Sequence, residues 1–95
     1  MDRLEAMSLL VAAVEAGSLS AAARNLGAPL TTVSRKVADL ETHLGTRLLN
    51  RSSRRMTLTD AGAAYVAACR RILSEVEQAE REAAGEFAAP RGELT

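Results

Sequence analysis

With 95 residues, 47% of them apolar, the chain is long enough for one small domain with its own core and too short for several. One cysteine, Cys69, and one histidine, His43, exclude an internal disulfide and a multi-cysteine metal cage, and leave histidine-based catalysis poorly supplied. The formal net charge is zero but unevenly spread: residues 20–71 carry nine basic side chains against three acids, and residues 72–95 carry six glutamates against two arginines, a pattern that suits a polyanionic partner better than the total does.

Asp2 followed by Glu5 has the form of a capping box, and Leu4, Met7, Val11 and Val14 then fall on one face of a first helix that Gly17 stops. Ser18 or Ser20 can cap a short second helix through Ala21, Ala22, Ala23 and Leu26, ended by Gly27. After Gly27-Ala28-Pro29 a third helix runs to about Leu44, with Val33, Val37, Leu40 and Leu44 as its apolar stripe and Gly45 as its stop. The segments Arg47 to Arg51 and Met56 to Leu58 flank Ser52-Ser53-Arg54-Arg55 and predict a small hairpin with a basic tip, too short to stand without the helices. Thr59 and Asp60 then cap a long fourth helix, in which Tyr65, Ala68, Ile72, Val76, Ala79, Ala83 and Phe87 recur every three or four residues. That stripe outruns the core a domain of this size offers, so part of it is expected to meet a second copy. Ala88-Ala89-Pro90-Arg91-Gly92 reads as a hinge or an irregular end.

Two short helices joined by a tight glycine-containing turn, the second with small polar and basic residues at its amino end, form a helix-turn-helix pattern. Such a helix needs short side chains where it enters the major groove and donors that read base edges. Thr31, Thr32 and Ser34 meet the first need, and Arg35 can contact guanine or a phosphate. The expected DNA-binding set is Ser20, Leu30, Thr31, Thr32, Ser34, Arg35 and Lys36, with Arg51, Arg54 and Arg55 from the hairpin. The expected dimer interface is Tyr65, Ala68, Ile72, Val76, Ala79 and Ala83. As alternatives, Arg35 and Lys36 can be solvated helix charges, Arg54 and Arg55 polar turn residues, and Tyr65 a core residue. The alanines of the second helix are expected to serve close packing, and His43 and Cys69 to be plain helix residues.

Several stretches together resemble the LysR-type transcriptional regulators: Glu15 through Gly27, Val33-Ser34-Arg35, Leu40-Glu41, Leu44 through Arg51, and Leu58 through Gly62. The resemblance runs from Leu4 to about Leu73. It implies a mainly α fold in which a winged helix-turn-helix over residues 1–58, three helices plus a two-stranded wing, is followed by a dimerisation linker helix over 59–88. It further implies that residues 89–95 are a hinge leading to an effector-binding domain. The implied partners are operator DNA, a second copy in an antiparallel pairing, with a tetramer allowed for the full-length protein, and a small-molecule effector through the downstream domain. The family's recognition helix maps onto residues 30–44 and its wing onto 47–58. One departure is visible: where many members carry Ser-Gln-Pro, this chain has Pro29-Leu30-Thr31, which brings an apolar Leu30 to the groove, where it can either meet a thymine methyl group or serve packing.

The sequence-based expectation is therefore sequence-specific binding of duplex DNA as a homodimer, with no cofactor and no metal. Single-stranded nucleic acid fits less well, since such sites stack bases on aromatics and Tyr65 and Phe87 both lie outside the helix-turn-helix pattern and hairpin. A helical dimerisation module without DNA binding leaves the basic centre unexplained. An enzyme fits least, because no nucleophile, base and orienting residue can be assembled from one histidine, one cysteine and scattered acids. No apolar run has the length of a membrane span, and Met1 to Glu5 lack the order of a secretion signal. A cytoplasmic, nucleoid-associated bacterial protein is the matching expectation.

Overall fold

A computed structural model of the chain describes residues 1–51 and 56–85. The first helix, α1 (Arg3–Ala16), starts where the Asp2 carboxylate accepts the Glu5 N–H at 3.0 Å and stops at Gly17, whose φ of 91° is left-handed. Only half of the expected capping box forms, because the Glu5 carboxylate turns to Lys36 instead. The buried face also differs from the expected stripe. Ala6, Met7, Leu10 and Ala13 face inward, Val11 and Val14 are half-buried, and Leu4 stays 45% exposed. Between Ala6 and Ala13 every residue but Ser8 is apolar, so periodicity cannot select one face. Packing against three other helices does.

The second helix, α2 (Leu19–Leu26), is capped by Ser18, whose hydroxyl accepts the Ala21 N–H at 3.0 Å; Ser20 lies exposed within it. Ala22 and Ala23 are buried, and their small side chains let α2 lie close to its neighbours. The third, α3 (Leu30–Leu44), buries Val33, Val37 and Leu40 as the spacing predicts. Leu44 is 38% exposed, and the carboxylate of Glu41 goes inside instead.

The chain then turns through Leu48 into β1 (Leu49–Asn50), which pairs antiparallel with β2 (Thr57–Leu58) in the register Leu49 with Leu58 and Asn50 with Thr57. Leu48 and Leu49 are buried, which ties this two-residue ladder to the helical core. The fourth helix, α4 (Asp60–Ala83), begins at Thr59, whose hydroxyl accepts the Gly62 N–H at 2.9 Å and donates to the Arg47 carbonyl at 2.7 Å. Gly62 is required by closeness: a Cβ there would overlap the Leu48 carbonyl oxygen.

Ala6 and Leu10 of α1, Val37 and Leu40 of α3, Leu48, Leu49 and Val66 of α4 form the core, with Tyr65 packed on its edge. The molecule is elongated, 56 × 27 × 23 Å. α4 ends at Ala83, short of the expected Phe87, and Gly85 takes a left-handed φ of 86° just beyond the Ala84 cap. Phe87 and the expected hinge at 89–95 lie outside the described residues, as does the hairpin tip at 52–55. No single helix among the described residues is long and apolar enough to cross a membrane.

Candidate nucleic-acid interface

α2 and α3 are joined by Gly27, Ala28 and Pro29. The turn is held by the Ala28 N–H donating to the Ala23 carbonyl at 3.0 Å and by Gly27 at a left-handed φ of 66°. This geometry anchors α3 through Val33 and Val37 and turns its other side outward. Thr31 and Arg35 are exposed on that side, with Thr32 and Ser34 half-exposed beside them. Arg35 makes no ion pair among the described residues, which leaves its guanidinium available to an outside acceptor. Leu30, the first residue of α3, is 44% exposed.

Two predicted contact residues are engaged within the molecule. Lys36 donates to Glu5 of α1 at 2.8 Å, with about a third of its side chain exposed. A partly exposed ion pair of this kind is worth roughly 1 kcal/mol or less, weak enough to be exchanged for a phosphate. Arg51 lies 3.2 Å from Glu41 and keeps a similar exposure. Arg47, exposed in the turn before β1, lines one open cleft with Asn50 and Arg51, and a second beside Thr42 and Thr46. Arg54 and Arg55 fall outside the described residues.

Glu41 is the positioning residue that sequence reasoning passed over. Its Oε2 accepts the buried N–H groups of Leu48 at 2.8 Å and Leu49 at 3.0 Å, and its Oε1 meets Arg51. One carboxylate thus fastens the carboxyl end of α3 to the base of the hairpin. A signal for it exists in the sequence: an acid in the last helical turn opposes the helix dipole, and this one follows the core residue Leu40 directly. Such a placement calls for a partner.

The expected dimer stripe divides in two. Tyr65 packs on the edge of its own core. Burial raises both the Tyr65 phenol and the Cys69 thiol above their ordinary pKa values, which keeps them neutral and Cys69 inert near neutral pH. Ala68 and Val76 are half-buried, the latter in a groove against Leu4 and Ser8 of α1. Ile72 is 45% exposed, and Ala79 and Ala83 are exposed.

Residues 4–63 match the family model described as bacterial regulatory helix-turn-helix protein, lysR family. An HTH-type transcriptional regulator of Xanthomonas campestris pv. campestris (strain 8004) is 54% identical over 86 residues, 90% of this chain and 25% of that protein. An HTH-type transcriptional repressor of Pseudomonas aeruginosa (strain UCBPP-PA14) is 46% identical over 94 residues, 99% of this chain and 30% of that protein. The chain thus spans between a quarter and a third of these relatives. Among solved structures, the BenM DNA-binding domain in complex with benA site 1 DNA superposes with a TM-score of 0.83 at 32% identity, covering 93% of this chain and 97% of that one.

Proposed function

The chain belongs to the lysR family of bacterial regulatory helix-turn-helix proteins, and from that premise we propose that it binds duplex DNA sequence-specifically, as a homodimer, to regulate transcription. The observation that carries the reading is α3: its Val33 and Val37 side is buried while Thr31, Thr32, Ser34 and Arg35 face outward in the first two turns. Those are the turns that a helix-turn-helix places against base edges. The exposed Arg47 and the partly exposed Arg51 extend the basic surface towards the phosphates. The role is one of binding rather than catalysis, carried out at the nucleoid in the cytoplasm. An effector-sensing domain following residues 89–95 is part of the same reading, as is assembly beyond a dimer in a longer protein.

Dimerisation is assigned to the outward side of α4. Gly62, Val66 and Cys69 are spent on the core of their own domain, which leaves Ile72, Ala79 and Ala83 for a second copy. A helix of 24 residues is about 36 Å long, close to the roughly 34 Å between half-sites one duplex turn apart.

The test is duplex binding at several salt concentrations. A log–log slope of about −0.9 per phosphate contacted is expected; absent or salt-independent binding overturns the reading. Replacing Ile72 and Ala79 together by Asp, both at exposed positions, should yield monomers in sedimentation. These should lose about 10² or more in affinity for a two-half-site duplex, because the second domain no longer benefits from effective concentration. A double variant that remains dimeric removes α4 from the interface.

A further inference from the structure

The leading edge of α3 has a chemistry of its own. Leu30 is its first residue and 44% exposed, Leu26 at the end of α2 is 52% exposed, and Pro29 between them is exposed as well. No side chain caps this helix: Pro29 occupies the cap position, and its ring has no group that can accept a hydrogen bond. From Leu26 to Thr32 the only polar side-chain atoms are the hydroxyls of Thr31 and Thr32, each carried beside a methyl group. The first turn therefore holds neither an amide to pair with adenine nor a guanidinium to pair with guanine.

Exposed apolar surface, such as that of Leu30 and Leu26, is disfavoured in water and is released from that cost by an apolar surface to lie against. In the major groove one base edge supplies such a surface, the 5-methyl group of thymine; cytosine presents only hydrogen at the same position. Resting on the DNA-binding reading above, we infer that Leu30 contacts a thymine methyl group, with Leu26 and Pro29 behind it excluding water. The domain thereby requires thymine at the base pair facing the tip of the recognition helix. Leu30 is the specificity-determining residue at that position, while Arg35, more than one turn further along, reads a different pair.

The experiment uses the chain as it stands and a duplex selected by it from a random pool. Each thymine of the bound site is replaced in turn by deoxyuridine, which keeps every hydrogen-bonding group and removes only the methyl. Affinity is read by fluorescence anisotropy. One replacement per half-site should weaken binding about three- to fivefold, the effect of one buried methyl group. Leu30→Ala, at an exposed position and expected to unfold at the same temperature as the parent, should bind the thymine and deoxyuridine duplexes alike. Leu30→Gln should shift the selected base at that position towards adenine. The inference falls if no deoxyuridine weakens binding, or if Leu30→Ala keeps the full thymine preference; DNA binding itself then stands. If no duplex is bound by the parent chain, both readings fall together.

Discussion

The two ends of α3 are finished in opposite ways. At the carboxyl end, Gly45 turns the chain with its N–H on the Glu41 and Thr42 carbonyls, Thr46 adds a bond to Glu41, and the Glu41 side chain holds Leu48 and Leu49. At the amino end there is no side-chain cap, and Leu30 and Thr31 stand exposed. Helix ends inside a protein are ordinarily satisfied by the protein itself. Here one end is completed by the protein's own groups, while the other stands open and is the end that the proposed function assigns to DNA. On that reading, rigidity and recognition are divided between the ends of a single element.

Glu41→Ala breaks the positioning end and is expected to have the largest effect. It leaves two buried N–H groups without an acceptor, each costing about 1–3 kcal/mol, so a loss of roughly 2–5 kcal/mol is expected in urea unfolding. A loss below about 1 kcal/mol would mean that water or another group takes over those donors. Gly62→Ala attacks the same joint from the α4 side. Because the added methyl meets backbone rather than a movable side chain, we expect destabilisation of about 3 kcal/mol. Unchanged stability would show that the approach of α4 to Leu48 is looser than described. Arg35→Ala belongs to the reading face and should do the reverse. Stability should stay within about 0.5 kcal/mol, while specific DNA binding drops by about 1–3 kcal/mol and preference relaxes at one base pair. A stability loss as large as that of Glu41→Ala would abolish the division between the two faces.

The sequence was most legible where interactions are local. Asp2 and Thr59 as caps, Gly17, Gly27 and Gly45 as stops, and the stripe Val33, Val37, Leu40 all rest on neighbours within a turn or two. What escaped depends on segments meeting across the chain. α1, apolar around much of its girth, has its inner face chosen by α2, α3 and α4. Lys36 is drawn to Glu5, 31 residues away. Tyr65 packs on its own core because α4 lies against it over its first turns. Glu41 and Gly62 are intelligible only once the Leu48 segment lies between α3 and α4. Of the candidate interface, the outward placement of Thr31, Thr32, Ser34 and Arg35 followed from helical spacing. The pairings of Lys36 and Arg51 did not.

The Thr59 hydroxyl, bonded at once to the Arg47 carbonyl and the Gly62 N–H, has a mechanical consequence. It welds the root of α4 to the foot of the hairpin at the base of a lever about 36 Å long. A tilt of about 5° at that weld moves the far end of the lever by about 3 Å, nearly the rise of one base pair. If two such levers join a pair of domains, the stiffness of this one joint sets how much spacing error between half-sites the pair can absorb. An operator lengthened by a single base pair should then be bound more weakly by the parent chain than by a Thr59→Val variant, in which the weld is cut.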